Sequence, residues 1–125
     1  MILLLSFEMK LPGATHAVVD IHKLHDYCLN PLHPRGRHKA RVFASALQLV
    51  QADAEFLRGR LLDAVLEADA TPGETDQYGA RYIVDFECVK GERRATIRSS
   101  WMVRQGESFP RLTTCYVLSD KVCNG

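Results

Sequence analysis

The chain has 125 residues, 46% of them hydrophobic and 25% charged, with a formal net charge of +1. That length holds one ordinary domain and excludes two independent cores, and that composition excludes a disordered chain. A total charge so close to neutral excludes a generally polyanion-seeking protein, so any anion site has to be local.

The opening run Met1-Ile2-Leu3-Leu4-Leu5 lacks the basic leader, long apolar stretch and cleavage site of a signal peptide, and it is far short of a membrane span. Residues 1–10 read either as an extra edge strand or as an extension upstream of a start at Met9, residues 11–118 as a single domain and 119–125 as a tail. Val18 to Cys28 is predicted to be a short helix, with Ile21, Leu24 and Cys28 in an apolar stripe and His22, Lys23 and His25 outward. Asn30-Pro31 ends it, because the residue before proline avoids helical dihedrals. Pro31, Pro34 and Gly36 then make residues 30–36 a constrained loop. Arg37 to Val50 is predicted to resume a helix, with Val42, Phe43, Ala46, Leu47 and Val50 inward. Asp53 is the expected N-cap of a third helix buried along Ala54, Leu57, Leu61 and Val65. Residues 71–79 read as a polar connection.

After Gly79 the hydrophobic period changes from helical to two. Tyr82, Val84, Phe86 and Cys88 share one face of a first strand, and Ala95, Ile97, Ser99, Trp101 and Val103 one face of a second. Strict alternation along 111–118 puts Leu112, Thr114, Tyr116 and Leu118 inward and Arg111, Thr113, Cys115 and Val117 outward. Short loops at Gly91 and Gly106 make neighbouring strands antiparallel. The expected fold class is therefore α+β: two to three N-terminal helices packed on one face of a three- to four-stranded antiparallel sheet, the other face polar and cationic. Four scattered cysteines without a C-x-x-C pair read as reduced thiols in a cytoplasmic protein.

Charge is segregated along these elements. Seven carboxylates between Asp53 and Asp76 meet only Arg58 and Arg60, whereas Arg35, Arg37, Lys39 and Arg41 meet no acid. Two local sites follow. The first is the loop and helix start from Asn30 to Ala40, where backbone N–H groups and a positive dipole end would hold phosphate among Arg35, Arg37, His38 and Lys39. His33, between two prolines, would supply acid–base chemistry there. The alternative is a solvated helix start with a structural proline turn. The second is the sheet face carrying Arg98, Ser100, Arg111 and Thr113, where two arginines could hold one phosphate bidentately. Its alternative is cross-strand ion pairing with Asp85 and Glu87. His22, His25 and Cys28 have metal-ligand chemistry but fan around a helix, so no metal is expected, and no glycine motif calls for a nucleotide cofactor.

Several ordered motifs carry a resemblance: Asp26-Tyr27-Cys28-Leu29-Asn30, His33-Pro34-x-Gly36-x-x-Lys39-Ala40, Tyr78-Gly79-x-Arg81-Tyr82, Ile97-Arg98-Ser99-x-Trp101, and Pro110-Arg111-Leu112-Thr113-Thr114-x-Tyr116. From about Leu11 to Leu118 the chain resembles a family of small, functionally uncharacterised bacterial domains that stand alone or end larger bacterial and phage polypeptides. That placement is similar to that of toxin modules, and helices followed by an antiparallel sheet resemble the architecture of barnase, colicin and RelE-type ribonucleases. The resemblance implies a metal-independent endoribonuclease that acts through a cyclic phosphate. On this reading His33, Lys39, Arg98, Arg111 and Thr113 are catalytic, and Arg35, Arg37, His38, Ser100 and Tyr116 bind substrate. RNA is then the expected partner. The alternative is a non-catalytic interaction module of a toxin–antitoxin-like pair, whose partner is a small cognate protein.

Overall fold

A computed structural model describes residues 9–118. Of the extension or edge strand expected at 1–10, residues 1–8 lie outside the described residues, as does the tail from 119. At the start of the described residues Met9 carbonyl accepts the Ala70 amide at 2.7 Å and Lys10 reaches Asp69 at 3.1 Å. Val18 then forms a single parallel bridge to Arg111. Asp20 turns the chain by accepting the His22 amide, and a one-turn helix α1 (Ile21–Lys23) runs on into a π-helical stretch, Leu24–Cys28. The Leu29 amide closes that stretch on Leu24 carbonyl at 2.8 Å, and Asn30 finishes it by donating from its side chain to Asp26 carbonyl.

Helix α2 (Arg37–Leu47) and helix α3 (Ala54–Glu67) follow. The sheet is a meander, β1 (Ala70–Asp76), β2 (Gly79–Lys90), β3 (Arg93–Arg104) and β4 (Pro110–Val117), all antiparallel and in sequence order. The helices cover one sheet face, and Phe43, Leu47, Leu57, Leu61, Val84, Ile97, Trp101 and Leu112 fill the layer between. The α+β arrangement is as the hydrophobic periods require, with the fourth strand present.

Four local expectations change. Helix α2 stops at Leu47 because Gln48 turns left-handed at φ 56°, sending Leu49 inward to bond Phe43 carbonyl. Val50 is therefore 49% exposed and Val42 37%, and Leu49 takes the buried place. Asp53 holds the N-cap position of α3 as expected but makes no side-chain bond to that helix; its carboxylate instead accepts the Val50 amide at 2.9 Å, folding a 3-10 turn (Gln51–Asp53) before α3. The polar connection after α3 is strand β1, exposed along all but its first residue, with an irregular register between Pro72 and Thr75. The fourth change is a β-bulge in β4. Ser100 pairs with Thr114 but Trp101 with Leu112, leaving Thr113 as the extra residue. From that point the parity reverses: Cys115 and Val117 are buried in the core, and Tyr116 sits opposite Arg98.

Candidate functional site

The π-helical stretch and the loop after it meet the bulged part of β4. Together they enclose an open hollow of about 650 Å³, lined by Asp20, His22, Lys23, Asp26, Tyr27, His33, Arg35, Thr113 and Thr114. The bulge explains the strand's contribution, since an extra residue re-aims side chains that a regular strand would send to opposite faces. The proline loop is held against Tyr27 by contact at Gly36, where an added Cβ would lie 2.1 Å from Tyr27 carbonyl oxygen.

Several polar groups inside the hollow are paired. Asp26 accepts from His25 Nδ1 at 2.7 Å and from His22 Nδ1 at 3.1 Å, and these two hydrogen bonds hold its carboxyl below the usual aspartate range. His22 is thereby oriented with its Nε2 left over. Lys39 Nζ donates to the Tyr27 hydroxyl at 3.1 Å and stands 5.9 Å from the Tyr116 ring. The His33 ring meets Tyr27 edge-on at 4.8 Å.

Residues 10–119 match the family described as Domain of unknown function (DUF6883). The chain belongs to this family. No curated protein matches it.

In this DUF6883 domain His33, Arg35 and Thr113 come together, with Lys39 directly behind Tyr27. His33, however, is built into the backbone: its Nδ1 accepts the Arg35 and Gly36 amides, each at 3.0 Å, and its carbonyl accepts the Arg37 amide at 2.9 Å. The Gly36, Arg37 and Ala40 amides at the start of α2 are thus bonded within the chain. The ring proton must sit on Nε2, leaving His33 a hydrogen-bond donor and not a proton acceptor.

The sheet-face arginines do not join the hollow as a pair. Arg98 makes two 2.9 Å bonds to Asp85, and Arg111 binds Glu107 at 3.0 and 2.9 Å. The Asp85 carboxylate, with a smaller contribution from Tyr116, pushes the Arg98 guanidinium further toward its charged form. Arg98 stands opposite Tyr116 and Arg111 opposite Met102, four residues apart on β3 or about 13 Å along the backbone, and each is engaged by its own carboxylate. Ser100 lies between them, opposite Thr114. Arg111 and Thr113 border a smaller adjoining hollow of about 250 Å³, whereas His38 and Tyr116 flank a shallow one of about 340 Å³. Arg37 turns away, donating to Pro34 carbonyl on the far side of α2.

Cys115, expected on the polar face, is wholly buried and donates to Cys28 sulfur at 3.9 Å. That bond lowers the Cys28 thiol to about 7, while its partner and burial push Cys115 up. With Cys28 turned inward and His22 and His25 both on Asp26, these three do not face a common point. Among the described residues no helix is long and apolar enough to cross a membrane.

The groups that sequence reasoning missed are His22, Asp26 and Tyr27. The i, i+4 spacing of His22 and Asp26 was the available signal. It was obscured because an outward-facing histidine on a short helix looks the same whether or not a hollow lies beside it.

Proposed function

We propose that this domain is a metal-independent endoribonuclease of the toxin-module kind, working in the hollow between the π-helical stretch and the β4 bulge. The observation that carries the reading is the oriented His22–Asp26 pair in the same hollow as Tyr27, whose hydroxyl accepts from Lys39. In this reading Nε2 of His22 removes the proton from a ribose 2′-hydroxyl while the Asp26 carboxylate steadies the imidazolium that forms. The 2′-oxygen bonds to the adjacent phosphorus, the bond to the 5′-oxygen breaks, and the Tyr27 hydroxyl gives its proton to that leaving oxygen. Lys39 then stabilises the phenolate until it is reprotonated from solvent. Lys23, Arg35, the Nε2–H of His33 and the Thr113 hydroxyl face the charge that develops on phosphorus. The products are a 2′,3′-cyclic phosphate and a free 5′-hydroxyl.

The test is incubation of the purified chain with total tRNA and mRNA in EDTA. Cleavage leaving cyclic phosphate ends is expected, abolished by a single 2′-deoxy substitution at the cut site. His22→Gln should lower the rate by roughly 10²-fold or more, the usual contribution of a positioned base. Intact RNA, or cleavage that persists unchanged in a His22→Gln, Tyr27→Phe double variant, would sink the reading.

A further inference from the structure

A second cavity shares no lining residue with the proposed site. Leu29, Ala40, Ala44 and Leu49 form its walls and floor, Arg37 and Arg41 stand at its rim, and its volume is about 460 Å³. Its shape follows from the chain. Residues 37, 40, 41 and 44 share one helix face, and alanine at the two inner places leaves the room that a larger side chain would fill. The early stop of α2 at Gln48 brings Leu49 under the floor and leaves Val50 on the lip.

The rim carries guanidinium groups that have no carboxylate partner, as is true of Arg93 and Arg104 elsewhere among the described residues, whereas most arginines are paired. Arg58, Arg60, Arg81, Arg94, Arg98 and Arg111 each have a carboxylate within 4 Å. Among the described residues Arg37 and Arg41 have none, nor does Arg35 beside them. An apolar slot below uncompensated guanidinium groups is complementary to an apolar side chain flanked by carboxylates. Its size suits one or two side chains of a peptide segment lying along α2, the arrangement in which buried anchors supply affinity and rim charges supply register.

We infer that this slot is the docking site for an acidic segment of a partner protein carrying an apolar anchor residue. The slot and the proposed hollow share no lining residue, and this inference does not rest on the nuclease reading. Occupation would cover Arg37 and Arg41 without touching His22, Asp26 or Tyr27.

The experiment uses the full chain and a fluorescein-labelled peptide of Glu and Asp around a central Leu-Leu pair, read by anisotropy at low salt, with a second peptide carrying Ser-Ser in place of the leucines. Saturable binding of the first is expected, weakened about tenfold or more by the Ser-Ser change, by Arg37→Glu with Arg41→Glu, and by Ala44→Leu, which fills the slot. Ala44→Leu adds a helix-favouring residue at a half-buried position, so an unchanged melting curve shows that the loss is local. Equal binding of both peptides would mean general attraction to acid and would overturn the inference. So would absence of binding, or a concentration-dependent dimer in light scattering that Ala44→Leu abolishes, since a second copy would then be the occupant.

Discussion

Ser99 is the one fully buried polar side chain among the described residues. Its hydroxyl donates to Val84 carbonyl at 2.7 Å and accepts the Trp101 indole N–H at 2.8 Å, so this one hydroxyl serves both partners. Ser99→Ala leaves the indole N–H buried without a partner and should cost about 1–3 kcal/mol, read from the urea midpoint. Ser99→Cys keeps a weak acceptor and should fall between the two. The buried position of Ser99 was legible from alternation alone, because Ile97 and Trp101 flank it at period two. Its partners were not legible: a serine at a core-parity position gives no indication of which neighbour will use its oxygen. His33 shows the opposite failure. Two prolines correctly marked it as fixed, but nothing in one dimension indicated that its ring would be turned back onto the amides of Arg35 and Gly36.

At the scale of elements, the bulge in β4 decides most of what alternation got wrong. Period-two reasoning assumes that every residue advances the strand by one pleat, and a single unpaired residue breaks that assumption for everything after it. Leu112 was therefore placed correctly, and Cys115, Tyr116 and Val117 were assigned to the wrong faces. Thr113 is a poor marker, since threonine is an ordinary strand residue. Deleting Thr113 should leave an unbulged ladder in which Leu112, Cys115 and Val117 still face the core and Tyr116 still stands opposite Arg98. The chain should then keep its cooperative melt, which its loss would refute, and Thr113→Ser should melt within about 0.5 kcal/mol of the parent. Strand β1 escaped notice for a related reason: Thr71-Pro72-Gly73-Glu74 holds few strand formers, and only the ladder to β2 makes it a strand. The long helix stripes and the β2–β3 hairpin were legible because their burial is decided by local pattern.

For the whole molecule, the segregated charges resolve into many small exposed pairs plus one basic stretch left over at the start of α2. Asp26, Asp76 and Glu107 share a consequence. The carboxyl of Asp26 is held low by His25 and His22, that of Asp76 by the Tyr78 amide and then Arg81, and that of Glu107 by Arg111. A carboxylate whose acidity rises on folding stabilises the native state above its ordinary range near pH 4, and that support disappears as pH falls through its lower native value. The urea midpoint should therefore drop as pH falls below about 4. A variant with Asp26→Asn, Asp76→Asn and Glu107→Gln should show a flatter acid limb, and an unchanged slope would refute the assignment. Total charge gave no hint of this, because it sums over pairs that the fold had not yet formed.

The two flanks of the meander are also occupied. Val18 donates to Pro110 carbonyl and accepts from Leu112 along β4, while Met9 takes the first amide of β1 and Pro72 has no amide to offer. A foreign strand approaching either side finds an interrupted row of donors and acceptors. Stacking of copies into an endless ribbon is thereby discouraged, even though one broad surface of the β-layer has no helices over it.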